Sequence, residues 1–212
     1  MAYGSAAQLR AHIDKNDPAD DATLVEILNA ATANIDRACN RYLPDLTYFE
    51  APVVASARTY AGSGKGHQRI NPCVEITLVE VKESYTDTAY TAWVPADWVA
   101  YCGSYERPNF NDLPYTAVMV DPNGDYCTFT KSPSIATIRV TARWGYSDTP
   151  PADIVEACVM QSARWYKRLQ SAMSDTLASG ELGMLLYRQS LDPDIRRILV
   201  DGRYINAITY GF

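Results

Sequence analysis

The sequence has few of the residues from which most catalytic and metal sites are built. It contains only two histidines, His12 and His67, and each stands alone in its segment. A histidine-based triad or a two-histidine metal site is therefore not expected. The five cysteines are widely spaced and include no CxxC pair, which argues against zinc and thioredoxin-type sites. We expect isolated cysteines to be small buried residues, and we expect no catalytic residues, no metal and no cofactor.

Long apolar runs and a basic surplus are also missing. No run approaches the roughly 18 apolar residues that a membrane helix needs, and residues 1–10 lack the apolar stretch of a signal peptide. The formal net charge is −6, whereas proteins that grip nucleic acid through its phosphates usually have a basic surplus or stripe. We expect a protein made in a cytoplasm that binds neither membranes nor specific DNA sequences.

Two short segments resemble ligand-binding loops but lack key residues. Residues 61–66 (AGSGKG) are glycine-rich, yet Thr59 stands where a phosphate-binding loop has its first glycine, and Gly66 stands where it has a hydroxyl. Residues 121–125 (DPNGD) alternate oxygen donors, yet Tyr126 and Ser132 replace the glycine and the glutamate of a calcium loop. We predict a flexible hairpin tip for the first segment and a hairpin turn for the second.

The amino-terminal region has the pattern of helices. Ser5 is predicted to cap a short helix through Ile13. Asp17 followed by Pro18 marks a second helix start. An apolar stripe at helical spacing follows, and Pro44 is predicted to end it; its members are Leu24, Leu28, Ala31, Ile35, Ala38 and Tyr42.

From about Thr47 to Tyr146 the pattern is typical of β-strands. Residues 74–82 alternate and then change phase, which predicts a bulge near Leu78. Pro95 is expected to split residues 89–101 or to confine them to an edge. Strands are predicted at 115–120 and 125–130 around Asn123-Gly124, and at 138–144. Five to seven short strands favour a small sandwich or barrel-like sheet.

Helices are predicted again from Thr149. Pro150 and Pro151 begin one whose spaced positions are Ile154, Cys158, Ser162, Trp165 and Leu169. Residues 171–183 are predicted to be a flexible link. Asp192 opens a last helix that ends at Gly202, and residues 203–212 alternate weakly without an acidic residue.

The sequence thus predicts an α+β fold, in which a helical bundle core receives an inserted antiparallel β subdomain. The expected parts are residues 1–46 (amino-terminal helices), 47–146 (β subdomain), 147–202 (carboxy-terminal helices) and 203–212 (an extended docking tail).

The order of three segments resembles bacteriophage head–tail connector (adaptor) proteins. The first contains Leu9, residues 21–24, Ala30-Ala31, Ile35 and Asn40-Arg41-Tyr42. The second is Trp144-Gly145-Tyr146 with residues 150–154, Ala157 and residues 165–168. The third is residues 180–187 with 191–199. The matches cover a little under half the chain, and the β region departs from the shortest, nearly all-helical members.

The resemblance implies a structural subunit of the virion neck and no enzyme. Such subunits form a ring, usually a dodecamer, that sits under the portal protein and extends the DNA channel. The ring would also contact a tail-terminator or stopper protein, while DNA passes without sequence-specific binding. Assembly in the host cytoplasm is implied. A tail-terminator or another neck or tail-completion protein is the alternative, and an enzyme with a β insert is a further one.

In this family the carboxy-terminal helix and tail commonly engage the portal. The resemblance therefore points to the tail as the contact with the portal or a neighbouring subunit. Its apolar and aromatic alternation also suits strand addition to an exposed sheet edge. The candidate contact residues are Arg203, Tyr204, Ile205, Ile208, Tyr210 and Phe212. Deletion of residues 203–212 is expected to abolish docking to the portal while leaving the fold intact.

Overall fold

The computed structural model describes residues 2–15, 17–41, 47–102, 112–173 and 191–205. The chain divides into two compact units. A helical unit draws on residues 1–47 and 150–212, and a β unit runs from Tyr48 to Thr149. This mixed architecture confirms the predicted α+β class. The described helices are α1 (Ala6–His12), α2 (Asp21–Ala38), α3 (Ala152–Met173) and α4 (Pro193–Asp201).

The amino-terminal helices begin where the sequence predicts. Ser5 and Gln8 form a reciprocal capping box at α1: the Ser5 hydroxyl accepts from the Gln8 N–H at 3.2 Å, and the Ser5 N–H donates to Gln8 Oε1 at 2.8 Å. The Asp17 carboxylate accepts from the Ala19 N–H at 2.9 Å and caps a 3-10 turn, Pro18–Asp20, that leads into α2. Both predicted starts are confirmed.

The end of α2 comes earlier than predicted, at Ala38. Asn40 has a φ of 55°, the Asn40 N–H donates to Arg37 O at 2.9 Å, and the Arg41 N–H donates to Asp36 O at 2.7 Å. These two bonds form a Schellman motif, in which asparagine tolerates the left-handed conformation. The expectation that Pro44 ends the helix was wrong, because Asn40 has already ended it. Tyr42 and Pro44 lie outside the described residues.

The core of the helical unit is formed by one face of each helix. Helix α2 buries its predicted stripe from Leu24 to Ile35, and α1 adds Leu9. On α3 the predicted positions Ile154, Cys158 and Ser162 are buried. The last two differ from the prediction: Trp165 is half-buried beside the buried Tyr166, and Leu169 is 42% exposed. No helix in the described part of the chain is long and apolar enough to cross a membrane.

The β unit contains one open antiparallel sheet. Its order is β1-β6-β2-β5-β4, with β3 beside β2. The expected sandwich or barrel is therefore replaced by a sheet with edges, because β1 pairs only with β6 among the described residues. The strands are β1 (Ser56–Ala61), β2 (His67–Val81), β3 (Thr91–Ala92), β4 (Trp98–Tyr101), β5 (Tyr115–Val120) and β6 (Ala136–Trp144).

Two local features of the sheet are confirmed. The register between β2 and β6 shifts between Ile76 and Leu78, at the predicted bulge. A 3-10 turn at Pro95–Asp97 separates β3 from β4, so the proline splits that segment as predicted. Strand β6 buries Ile138, Val140, Ala142 and Trp144 on the core face.

Two turn predictions in this unit were wrong. Residues 125–130 do not form a strand, because their backbone bonds go to loops: the Asp125 N–H donates to Asp97 Oδ1 at 3.1 Å, and the Phe129 N–H donates to Lys65 O at 3.0 Å. The glycine-rich segment 61–66 is not a hairpin tip, because β6 lies between the strands that it connects. It packs closely: a Cβ added to Gly62 would lie 1.8 Å from Thr130 O.

Candidate interaction surfaces

The described residues do not bring the two histidines together or group metal ligands. His12 and His67 are both exposed and belong to different units. Within residues 2–15, 17–41, 47–102, 112–173 and 191–205, no three His, Cys, Asp or Glu side chains are grouped to hold a metal ion. The oxygens of the 121–125 turn serve the turn itself: Asp121 Oδ1 accepts from the Asn123 N–H at 2.8 Å.

The cysteines are placed as ordinary core residues, with one exception. Cys39, Cys73, Cys102 and Cys158 are buried, and Cys127 is exposed. Burial raises the pKa of Cys39 and of Cys73 to about 12. These two groups are therefore protonated thiols near neutral pH and poor nucleophiles.

A polar cluster ties the turn after α1 to helix α3. The Tyr166 hydroxyl accepts from Lys15 Nζ at 2.8 Å and donates to Asp20 Oδ2 at 3.2 Å, while Lys15 also pairs with Asp20. Hydrogen bonds from Lys15 and Tyr166 hold the pKa of Asp20 below its usual range. Gln170 completes the cluster by donating to the Tyr166 hydroxyl at 3.0 Å. The polar atoms of the cluster form hydrogen bonds with one another, so the cluster joins α3 to the segment between α1 and α2.

The outer face of the β sheet carries charged pairs opposite the apolar core face. Arg139 on β6 makes a two-pronged contact with Glu80 on β2, and its guanidinium lies 4.5 Å from the Tyr90 ring centroid. This contact holds the pKa of Glu80 below its ordinary value. Further along β6, Arg143 pairs with Asp148 at 2.6 Å and with Glu75 at 3.6 Å. The positive charges of Arg139 and Arg143 are therefore paired with carboxylates of the same unit.

A cavity of about 440 Å³ opens beside an aromatic stack in the β unit. Trp93 stacks on Tyr126 at a centroid distance of 4.3 Å and on Phe129 at 5.0 Å. Lys82 and Lys131 also line the cavity. The stack explains why Phe129, outside any strand, is buried in the core of this unit.

Strand β1 is an edge of the sheet. Its residues are exposed or half-buried, and Ser56 O accepts from Trp144 Nε1 at 2.8 Å on the side of β6. Immediately before it, Val53 and Val54 are 88% and 77% exposed, the two largest exposures among the large apolar residues that the structure describes. Edge strands present unpaired backbone groups to solvent. This edge and its valine pair are the clearest candidate surface of the β unit.

The described part of the predicted tail packs on the helical unit. Arg203 has a φ of 58° and follows α4 in a turn. The Tyr204 hydroxyl contacts Asp153 Oδ1 at 3.1 Å, and Ile205 is buried with its N–H donating to Leu199 O at 3.2 Å. Ile208, Tyr210 and Phe212 lie outside the described residues. The docking role of the tail stays a prediction.

The β1 edge was missed by sequence reasoning. Residues 56–61 (SARTYA) contain no alternation of large apolar residues, because only one side chain in the segment is large and uncharged. The weak signal that was available is the valine pair at 53–54, which follows a proline and precedes a run without acidic residues.

Comparison with known proteins shows the fold but no family. No protein-family model and no curated protein sequence matches the chain. A chain from the neck of the native GTA particle computed with C12 symmetry matches with a TM-score of 0.52 and 15% identity. A chain from the virion of the native gene transfer agent (GTA) particle matches with a TM-score of 0.50 and 16% identity. Each match covers 98% of this chain and 91% of the other, so the likeness in fold is not confined to one of the two units.

Proposed function

We propose that this chain is a structural ring subunit of a phage-type neck, which joins the portal protein to the tail or to the next neck protein. The observation that carries the proposal is the shared fold over 98% of the chain with a chain from a neck computed with C12 symmetry. The ordered sequence resemblance to head–tail connector proteins supports the same role independently. The described residues offer no converging catalytic groups, which fits a function carried by surfaces and no enzymatic activity.

The partners of such a subunit are the portal protein, neighbouring copies in a ring of twelve, and a tail-terminator or stopper protein. DNA would pass through the ring channel. The net charge of −6 suits this role. A channel with few cationic side chains binds the phosphates of the passing DNA less tightly, so the DNA can slide through it. The working location is the neck of the virion, after assembly in the host cytoplasm.

The tail is the proposed contact to the portal or to a neighbouring subunit. Tyr204 and Ile205 contribute to the fold of the helical unit through Asp153 and Leu199. The proposed docking residues are therefore the exposed Arg203 together with Ile208, Tyr210 and Phe212. Truncation after Ile205 keeps the contacts of Tyr204 and Ile205 that support the fold. It therefore tests docking more cleanly than deletion of residues 203–212.

The decisive experiment is negative-stain imaging of the protein mixed with its cognate portal. We expect an added ring of density on one end of the portal. The chain truncated after Ile205 should keep its circular dichroism spectrum and lose this density. Binding to tail tubes in place of portals would assign the chain to the tail-terminator class. Undiminished decoration by the truncated chain would remove the tail from the docking site.

A further inference from the structure

The outer edge of β1 is a six-residue strand with nothing paired to it in the described parts of the chain. In an antiparallel ladder, alternate residues direct both the N–H and the C=O away from the partner strand. About half of the β1 residues therefore offer a donor and an acceptor on the side opposite β6. This pattern is the template that an added strand recognises.

This edge has only part of the protection that edge strands usually have. Proline, lysine and inward-pointing charges commonly block strand addition. Strand β1 contains no proline, no lysine and no acidic residue. Its one charged residue, Arg58, does point inward, but its guanidinium is held 4.6 Å from the centroid of the Trp144 ring. The register with β6 shifts between Tyr60 and Ala61, so the regular part of the open edge is residues 56–60.

An apolar anchor lies next to the open edge. Val53 and Val54 precede β1 by two to three residues and are 88% and 77% exposed. Side chains of this kind add affinity to a strand that is otherwise held by main-chain hydrogen bonds. Neither valine belongs to the core cluster of the β unit around Trp144.

We propose that β1 receives residues 206–212 of a neighbouring copy as an added strand, anchored on Val53 and Val54. This inference rests on the proposed ring. The segment reads NAITYGF, with no charged residue and no proline, and isoleucine, threonine, tyrosine and phenylalanine favour strands. Seven extended residues span about 23 Å, against about 20 Å for the six residues of β1. The segment follows Ile205, which is fixed on the helical unit.

The geometry of a ring favours a neighbouring copy as the donor. A tail on one surface and an edge on another form a heterologous contact, which closes into a ring when each copy repeats it by rotation. The same contact explains how truncation after Ile205 would abolish portal docking, because a ring that does not form cannot decorate a portal.

Disulfide trapping between two full-length copies tests the contact directly. One tagged copy carries Ala57→Cys, and a second copy with a different tag carries Ala207→Cys, Thr209→Cys or Gly211→Cys in turn. Both copies carry Cys127→Ser, because Cys127 is the exposed cysteine of the described residues. We expect at least one of the three pairings to give a mixed dimer on mild oxidation, since a disulfide needs Cα atoms within about 7 Å.

A matched pair of variants tests the anchor. Val53→Asp with Val54→Asp in the Ala57→Cys copy should reduce the mixed dimer at least tenfold. Tyr85→Asp, at a residue of the same unit that is 58% exposed, should leave it unchanged. Thermal unfolding of both variants confirms that the fold is intact. Equal trapping in the two variants would overturn the anchor, and with it the proposed contact.

Two outcomes separate this contact from its alternatives. A chain that carries both cysteines and cross-links only within itself would show that the tail adds to its own sheet, which overturns the proposal. Absence of any mixed dimer, while the same variants still decorate portals, would overturn the proposal and leave the neck function standing. Loss of decoration by the unmodified protein would instead count against the neck function.

Discussion

The two units of this chain are stabilised in different ways. In the helical unit, polar groups connect segments that are far apart in sequence: the Tyr3 hydroxyl donates to Asp36 Oδ1 at 2.6 Å, and Tyr166 contacts both Lys15 and Asp20. The β unit is continuous in sequence and has an aromatic core, with its ion pairs on the opposite face of the sheet. Both units have an apolar core, and in the helical unit polar contacts also help to select the pairing of helices that are distant in sequence.

The largest expected effects come from the two cores. Trp144→Ala in the β unit should lower the free energy of unfolding by about 3–5 kcal/mol, and Leu28→Ala in the helical unit by about 2–5 kcal/mol, because both side chains are almost fully buried. The rate of backbone amide hydrogen exchange should rise in strands β1, β2 and β6 for Trp144→Ala. For Leu28→Ala it should rise in helices α1–α3. Equal loss of protection in both units for either variant would contradict the division into two cores.

The helical unit was the more predictable of the two, for a physical reason. Its helix starts depend on residues within one turn, such as Ser5 with Gln8 and Asp17 with Pro18, so local sequence suffices. The end of α2 was missed because Asn40 gives a weaker signal than Pro44, although both are local.

In the β unit, local features were also predictable and long-range ones were not. The bulge at Leu78 and the break at Pro95 follow from single segments. The order of the strands does not, because alternation is the same in an edge strand and in a central strand. The candidate β1 edge depends on that order, and the partner of a free edge lies outside the chain by definition.

An ion pair on the outer face of the sheet should contribute less than either core. Glu80→Gln is expected to lower the free energy of unfolding by about 0.5–1 kcal/mol at neutral pH, since Arg139 is partly exposed. The pKa of Glu80 is lowered from 4.5 in the folded protein, so its contribution is present above that pH and is lost as the pH falls through the folded value. Urea unfolding from pH 3 to pH 7 measures this. Glu83→Gln, at an exposed residue of the same unit, is the control, and a similar loss there would assign the effect to net charge.

The smallest effect concerns the helix end from which the tail departs. Arg203 occupies the left-handed region with a φ of 58°, which costs a residue with a side chain about 1–2 kcal/mol. Arg203→Gly removes this cost but raises the conformational entropy of the unfolded chain, which opposes folding. The net result should be a stabilisation of the helical unit by about 0.5 kcal/mol. Arg197→Gly, within α4 and highly exposed, should destabilise it by about 1 kcal/mol. Opposite signs in thermal unfolding would show that the left-handed conformation of Arg203 costs stability at the end of α4, and equal signs would contradict it.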